Sequence, residues 1–278
     1  MKNKIISFFI TIFLLAGLAL IIYPTLSDYI NNVGRAKDIS GYAEAVAHID
    51  KNEYDEILRK ANEYNAKKAE GSPHWLLSEK EIEEYNSLLD ISGTGVMACV
   101  EIPKISCSLP VYHGTDESVL QIAIGHIEGS SLPVGGKNTH SVLSGHRGLP
   151  SAKLFTGLDK LEEGDTFTIR TLDEVLTYEV DKISIILPSQ TEQLAIVPGE
   201  DLCTLMTCTP YGVNSHRLLV RGHRVQDSET EEEIRITADA LQIDPRIVAP
   251  IAATPILIII FIALVLGELK RKDKKGGR

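Results

Sequence analysis

A cysteine and an arginine flank a short loop within the segment Thr204–Arg224. Cys208 ends an apolar, β-prone run, a loop containing Pro, Gly and Asn follows, and Arg217 begins a second β-prone run. Two such runs joined by a short loop predict a β-hairpin, which brings Cys208 beside Arg217. A thiol held next to a permanent cation is biased toward the nucleophilic thiolate. The hairpin therefore carries a candidate nucleophile together with a group that can stabilise negative charge.

A candidate base lies upstream, in the turn sequence S-G-H-R-G at 144–148. His146 follows a β-prone run, so its titratable ring is placed on a tight loop rather than inside a strand. A cysteine can attack a carbonyl, a histidine can move protons, and a cation can stabilise the developing oxyanion. His146, Cys208 and Arg217 are therefore a coherent set for acyl transfer.

Each member of this set also has an ordinary structural explanation. A lone cysteine is usually a core residue, and an arginine on a strand is usually a solvated charge. Cys203 and Cys208 are an odd number of residues apart, so one regular strand points them to opposite faces. We expect one in the core and Cys208, at the loop end, facing a groove. Cys99 and Cys107 are expected in the core or near the surface. The histidines that compete with His146 as the base are His140, His216 and His223.

Composition excludes several classes of function. The chain has 278 residues and a net charge of −10, and this negative charge argues against a nucleic-acid-binding protein. Its four cysteines show no CxxC pair and no zinc-like spacing with histidine, so we predict neither a metal site nor a cofactor. A disulfide framework is not expected in a chain of this size.

Two uncharged apolar segments predict membrane helices near the ends of the chain. Ile5–Ser27 follows Lys2 and Lys4 and is long enough to span a bilayer, although a cleaved signal peptide has a similar pattern. Ile247–Gly267 precedes a basic cluster. The positive-inside rule places both basic flanks in the cytoplasm and the intervening domain outside the cell. We therefore expect a multi-pass membrane protein with an extracellular domain.

The segment between these helices is predicted to be helical first and then mostly β. Tyr29 to about Asn65 has apolar residues at helical spacing. Trp75, in an irregular stretch, could staple a linker to the domain or plug a groove. From Gly95 onward, short β-prone runs separated by turn residues indicate a sandwich or a closed barrel. Short helices are predicted at Val119–Gly125 and Ala152–Leu158. The predicted strands are Val96–Ile102, Ser108–Tyr112, Ser141–Ser144, Thr166–Thr171, Val175–Ile186, Leu202–Cys208 and Arg217–Val225.

Two long motifs resemble the sortase family, and within it the class C, pilin-polymerising enzymes. They are T-L-M-T-C-T-P-Y-G-V-N-S-H-R-L-L-V-R-G-H-R at 204–224 and T-H-S-V-L-S-G-H-R-G-L-P-S-A-K-L-F at 139–155. The resemblance covers about Ala98 to Arg224 and extends to a membrane helix at each end. It implies a mostly β fold, the closed eight-stranded sortase β-barrel with short helices. It also implies Cys208 as nucleophile, His146 as general acid/base and Arg217 as the stabilising arginine.

The resemblance further implies a two-step transpeptidation without a metal. Cys208 would cleave an LPXTG-like sorting signal of a pilin or surface protein between Thr and Gly, forming a thioester. An amine, expected to be a lysine of the next pilin subunit, would then resolve it. The alternatives are anchoring of surface proteins to cell-wall precursor, thioester hydrolysis, and a membrane-tethered β-barrel binding module without catalysis.

One stretch departs from the family pattern. Class C sortases usually carry a lid with an Asp-Pro-aromatic motif, whereas residues 71–75 read G-S-P-H-W and lack the Asp. We predict a lid at about Gly71–Ser78, with Pro73 and with Trp75 as its plug, and without an acidic contact to Arg217. The expected regions are an anchor or signal peptide at 1–27, a helical and lid segment at 28–94, the catalytic barrel at 95–226, a linker at 227–246, a membrane helix at 247–267 and a basic tail at 268–278.

Overall fold

The computed structural model describes residues 2–71 and 75–225. The predicted linker 227–246, second membrane helix 247–267 and basic tail 268–278 lie outside the described residues, as does Pro73 of the predicted lid. Among the described residues, those up to Ser27 belong to one compact unit, and 28–71 and 75–225 belong to another.

Eight strands close into a barrel, which confirms the predicted fold class for the described domain. Around the barrel the strands follow the order β1-β2-β3-β4-β7-β8-β6-β5. The strands are β1 Val96–Ile102, β2 Cys107–His113, β3 Ile124–His126, β4 Thr139–Ser144, β5 Thr166–Thr171, β6 Glu174–Ile186, β7 Asp201–Thr209 and β8 His216–Arg224.

Alternating burial along the strands fills the barrel interior. In β5, Phe167 and Ile169 are fully buried while their neighbours are partly exposed, as expected for a strand with one face toward a core. In β1 almost every residue is buried, because Tyr42 packs with Val96 and Cys99 in a second cluster outside the main core. The predicted strand pattern thus has a direct basis in packing.

Strand direction brings several strand ends to one rim of the barrel. β4 pairs with β7 in parallel, and β7 pairs with β8 in antiparallel orientation. β3 is antiparallel to β4. The C-terminal ends of β4 and β7 therefore lie at the same rim as the N-terminal ends of β3 and β8. We call this the active rim.

Three helices precede the barrel, and a fourth lies between β2 and β3. They are α1 Lys2–His48, α2 Lys51–Glu70, α3 Glu79–Asn86 and α4 Glu117–Leu120. The helical prediction for Tyr29 to Asn65 is confirmed, with an interruption where Asp50 accepts hydrogen bonds from two backbone amides of α2 and caps it. A capping box between Ser78 and Glu81 starts α3. The apolar N-terminal part of α1 is long enough to cross a membrane.

The two short helices predicted within connections were wrong in extent. Helix α4 ends at Leu120, and the predicted helix Val119–Gly125 instead runs into strand β3. From Ile124 onward the chain instead pairs in parallel with β2. Ala152 forms an isolated bridge with Leu149, and residues 154–157 form turns, with the Phe155 amide donating to the His146 carbonyl oxygen at 3.1 Å. Only Leu158–Lys160 is helical, as a 3-10 turn.

Candidate active site

The β7–β8 hairpin holds Cys208 and Arg217 as a directly opposed cross-strand pair. Directly opposed residues of an antiparallel pair project from the same face with closely spaced Cβ atoms. Arg217 Nη1 donates to the carbonyl oxygens of Asn214 at 3.3 Å and His216 at 3.2 Å, which hold the guanidinium at the loop end. Both Cys208 and Arg217 are half-buried, so each is open to a ligand.

His146 lies beside Cys208 because of the parallel register of β4 and β7. Ser144 pairs with Met206, and two further residues along each strand lead to His146 and Cys208. The register continues past the end of β4, because the Gly145 amide bonds to the Met206 carbonyl oxygen at 3.1 Å. The His146 side chain is 28% exposed. The structure therefore brings together at the active rim the three residues that the sequence singled out.

Two glycines beside His146 allow the loop to pack closely. A Cβ on Gly145 would lie 2.4 Å from Ile124 Cδ1 and 2.8 Å from Phe155 Cδ2. Gly148 has φ +77° and a Cβ there would lie 2.1 Å from the Tyr211 ring, so it meets both conditions that favour glycine. The S-G-H-R-G sequence thus sets His146 between the barrel core and the β7–β8 loop.

The other cysteines are unsuited to nucleophilic attack. All four are free thiols, and only Cys208 is not buried. Burial raises the pKa of Cys99 and Cys107 to about 12 and raises the pKa of Cys203 well above its ordinary value. These three thiols stay protonated at neutral pH, and the thiolate is the reactive form.

The rival histidines either lie far from Cys208 along their strands or, as His216 does, point to the opposite face from Arg217. Burial lowers the pKa of His140 to about 4, and its ring contacts Thr204 Oγ1 at 2.7 Å and the Ala195 carbonyl oxygen at 2.9 Å. His216 contacts Ser215 Oγ at 2.9 Å. His223 pairs with Leu202, near the opposite end of the hairpin from Cys208. His146 is the histidine that the register places next to the thiol.

The sequence did not single out Glu117, which lies beside the candidate base. Its Oε2 is 3.7 Å from His146 Nε2, and its side chain is 72% exposed. Glu117 begins α4, which precedes strand β3 at the active rim. No local signal marks this residue, because it lies 29 positions before His146 and meets it only through the β3–β4 pairing.

Trp75 packs onto the outside of the barrel, on the face that also carries Cys208. Both Trp75 and Met206 pack against one apolar cluster, and Met206 shares a strand face with Cys208, two residues further along. Trp75 also lines a cavity of about 390 Å³ together with Gly71, the residue that follows α2. The members of the cluster are Val142, Ile186, Leu194 and Leu219.

No arrangement of three or more His, Cys, Asp or Glu side chains that could hold a metal ion occurs within residues 2–71 and 75–225.

Comparisons with known proteins identify a family and its solved structures. Residues 100–225 match the family model for the sortase domain. Sortase D of Bacillus subtilis (strain 168) is 33% identical over 129 residues, which are 45% of this chain and 62% of that protein. The matches cover 62%, 40% and 60% of the curated relatives, less than two thirds of their length.

This chain covers nearly the whole length of the solved sortase structures that it matches. Sortase C1 from Streptococcus agalactiae is 53% identical with a TM-score of 0.67, covering 69% of this chain and 100% of that one. Sortase C from Streptococcus pneumoniae, whose structure bears on catalysis and pilin substrate specificity, is 45% identical with a TM-score of 0.63. It covers 69% of this chain and 97% of that one.

Proposed function

We propose that this chain, which belongs to the sortase family, is a membrane-tethered cysteine transpeptidase that acts on an LPXTG-like sorting signal. It cleaves the signal between Thr and Gly and transfers the new acyl end to an amine. The observation that carries this proposal is the opposed pair Cys208–Arg217 with His146 in register beside it. A nucleophile, a proton carrier and a cation on one rim are the parts that acyl transfer requires.

The first step of the proposed reaction is acylation of the cysteine. The Cys208 thiolate attacks the Thr carbonyl carbon, and the carbonyl electron pair moves onto oxygen. Arg217 stabilises that oxyanion from the neighbouring strand. As the C–N bond breaks, protonated His146 gives its proton to the leaving Gly amine. The products are a thioester on Cys208 and a neutral His146.

The second step returns the enzyme to its starting state. An amine attacks the thioester carbon, the C–S bond breaks, and sulfur leaves with the electron pair as thiolate. His146 takes the proton that the amine loses. Similarity to class C sortases supports a pilin lysine as the acceptor, and cell-wall precursor is the alternative.

The chain's placement at a cell surface is part of the same proposal. The apolar part of α1 acts as the membrane anchor. Ile247–Gly267 supplies a second span, so both termini are cytoplasmic and the barrel faces the substrate outside the cell. The segment around Pro73 and Trp75 acts as a lid, and the docking of Trp75 on the Cys208 face supports this assignment.

Intact-mass analysis of the full chain in detergent tests the proposal. Incubation with an LPXTG-type peptide should add the mass of the peptide up to Thr in the wild type, and no mass in Cys208→Ala. Cys203→Ala, which removes a buried thiol from the opposite face of the same strand, is the matched control and should keep the adduct. If neither the wild type nor Trp75→Ala forms an adduct, the chain is not a transpeptidase of this class.

The acceptor is identified from the product. A lysine-containing peptide and an oligoglycine amine, supplied together at equal concentration, report pilin-type and cell-wall-type acceptors respectively. Predominant transfer to the lysine side chain supports pilus assembly. Predominant transfer to oligoglycine supports anchoring of surface proteins, and release of the free acid alone indicates a hydrolase.

A further inference from the structure

Glu117 is an exposed carboxylate without a lysine or arginine partner among the residues that the structure describes. Its polar contacts are with the side chain of Gln121, one helical turn further along, and with His146 at 3.7 Å. Some other carboxylates of the described domain do have such a partner, as Asp159 has in Arg147 at 3.2 Å. The Glu117 charge is therefore free to meet a cation from solvent.

The strand order places this charge on one side of the reacting thiol and Arg217 on the other. Along the active rim, β3, β4, β7 and β8 follow one another. They present in turn Glu117, just before β3, then His146, Cys208 and Arg217. The two ends of the site therefore carry opposite charges. Arg217 is positive on the far side of Cys208, and Glu117 is negative on the far side of His146.

The two sides of the site suit the two halves of the reaction. An oxyanion belongs beside Arg217, and an ammonium belongs beside Glu117. The nitrogen that attacks the thioester must also approach His146, which accepts its proton. We infer that Glu117 binds the ammonium group of the acceptor and holds it next to His146. This inference rests on the proposed transpeptidation and names the group that selects a cationic, lysine-like acceptor for it.

A lysine-like acceptor must bind the enzyme in its cationic form before it reacts. A lysine side chain has a pKa of about 10.4 and arrives as an ammonium. It loses one proton to solvent to become the free amine. The nitrogen then bonds to the thioester carbon, the C–S bond breaks with its electron pair going to Cys208, and the second proton passes to His146. Glu117 raises the local concentration of the amine without taking part in bond making.

The competing explanation is that Glu117 only orients the His146 ring. Both steps of the reaction use His146, so a positioning residue would affect acylation, hydrolysis and aminolysis together. An acceptor-binding residue would affect only the reaction with a cationic amine. The two explanations therefore differ in which rate constant changes.

The experiment measures thioester partitioning in the full chain in detergent. The donor is an LPXTG-type peptide, the cationic acceptor is Nα-acetyl-lysine amide at varied concentration, and the neutral acceptor is hydroxylamine. Wild type is compared with Glu117→Gln, Glu117→Lys and Asp116→Asn. Asp116 is a matched control because it is an exposed carboxylate on the adjacent residue and makes no side-chain capping bond.

We expect Glu117→Gln to lower kcat/KM for the lysine amide about two- to fivefold, the size of an exposed ion pair. Glu117→Lys should lower it further, because it replaces attraction by repulsion. In Glu117→Gln, the rate of acyl-enzyme formation and the rate of the reaction with hydroxylamine should fall less than the rate of the reaction with the lysine amide. Asp116→Asn should resemble the wild type throughout.

Three results would overturn the inference. Equal lysine-amide kinetics in Glu117→Gln and the wild type would remove Glu117 from acceptor binding. A parallel loss of acylation, hydroxylamine reaction and aminolysis would make it a positioning residue for His146. Absence of any acyl-enzyme in the wild type and in Trp75→Ala would remove the proposed function itself, and the inference with it.

Discussion

At the scale of single residues, exposure and a neighbouring charge distinguish Cys208 from the other thiols. Cys203 lies on the same strand, but burial raises its pKa far above neutral. Cys208 is half-buried and faces Arg217 across the hairpin. The arginine is held by two carbonyl oxygens of its own loop, so its charge is oriented before substrate arrives. Such preorganisation makes an oxyanion-stabilising group effective.

Replacing Arg217 by glutamine should slow acyl-enzyme formation about 100-fold, as removal of an oxyanion donor does in other acyl-transfer enzymes. The rate is measured by quenched-time intact mass with an LPXTG-type peptide. Arg221→Gln is the control, because Arg221 lies on the same face of β8 but is paired with Asp181 at 2.8 Å, away from the loop. An unchanged rate in Arg217→Gln would contradict the role of Arg217.

Gly145→Ala should lower the free energy of unfolding by about 1–3 kcal/mol, because the core contains no space for the added methyl group. The new Cβ would meet Ile124 and Phe155, both fully buried. The displaced loop should also slow acylation, since His146 follows directly. Urea denaturation measures the first effect. Gly41→Ala, where nothing lies within 4 Å of an added Cβ, should not destabilise the chain.

At the scale of elements, helix α1 contacts the loops on both sides of the active rim. Asn31 on α1 donates to the Ser151 carbonyl oxygen at 2.9 Å, and Arg35 donates to the Ile122 carbonyl oxygen at 3.0 Å. The first contact reaches the loop after His146, and the second reaches the connection after α4. The part of α1 from Asp28 onward therefore supports both sides of the His146–Glu117 contact.

The lid proposal predicts that Trp75→Ala accelerates acyl-enzyme formation. Removing an aromatic ring that is half-buried weakens docking of the segment by about 1–2 kcal/mol. Even about 1 kcal/mol raises the open fraction of a mostly closed lid about fivefold. Leu76→Ala is the control, since this neighbouring side chain is 85% exposed and contributes little to docking. Equal acylation rates in Trp75→Ala and the wild type would show that Trp75 does not block the active site.

At the scale of the whole molecule, a buried histidine connects the barrel to helix α3. His126 on β3 is fully buried, and its ring contacts Tyr85 of α3 at 2.9 Å and the Ser131 carbonyl oxygen at 2.8 Å. Burial lowers the pKa of both His126 and His140 to about 4. Folding thus favours their neutral forms, and the unfolded chain binds these protons more readily.

Acid should therefore destabilise the fold between about pH 6.5 and pH 4. The pKa of each histidine is depressed on folding, so its contribution is complete above 6.5 and is lost as pH falls toward 4. The loss is on the order of 3 kcal/mol at most for each group. Urea denaturation followed by far-ultraviolet circular dichroism measures it. His140→Gln should flatten the pH profile, His48→Gln on exposed α1 should not, and equal slopes in all three proteins would refute the assignment.

The sequence by itself determined the features that depend on near neighbours in the chain. Cys208 and Arg217 are joined by a loop of few residues, so a β-prone run on each side was enough to predict their pairing. Seven of the barrel strands were predicted from short β-prone runs bounded by turn residues. The three-residue strand β3 escaped detection because so short a run carries no periodicity, and helix signals at its start dominated.

Only the tertiary structure decided which distant residues meet at the active rim. His146 reaches Cys208 through a parallel pairing between strands about 60 residues apart, and its register is fixed by the packing of the whole barrel. Glu117 meets His146 through β3, and Trp75, which lies just before α3, meets its apolar cluster from far upstream in the chain. Such contacts carry no local pattern, because they depend on closure of the barrel rather than on the propensities of the residues that make them.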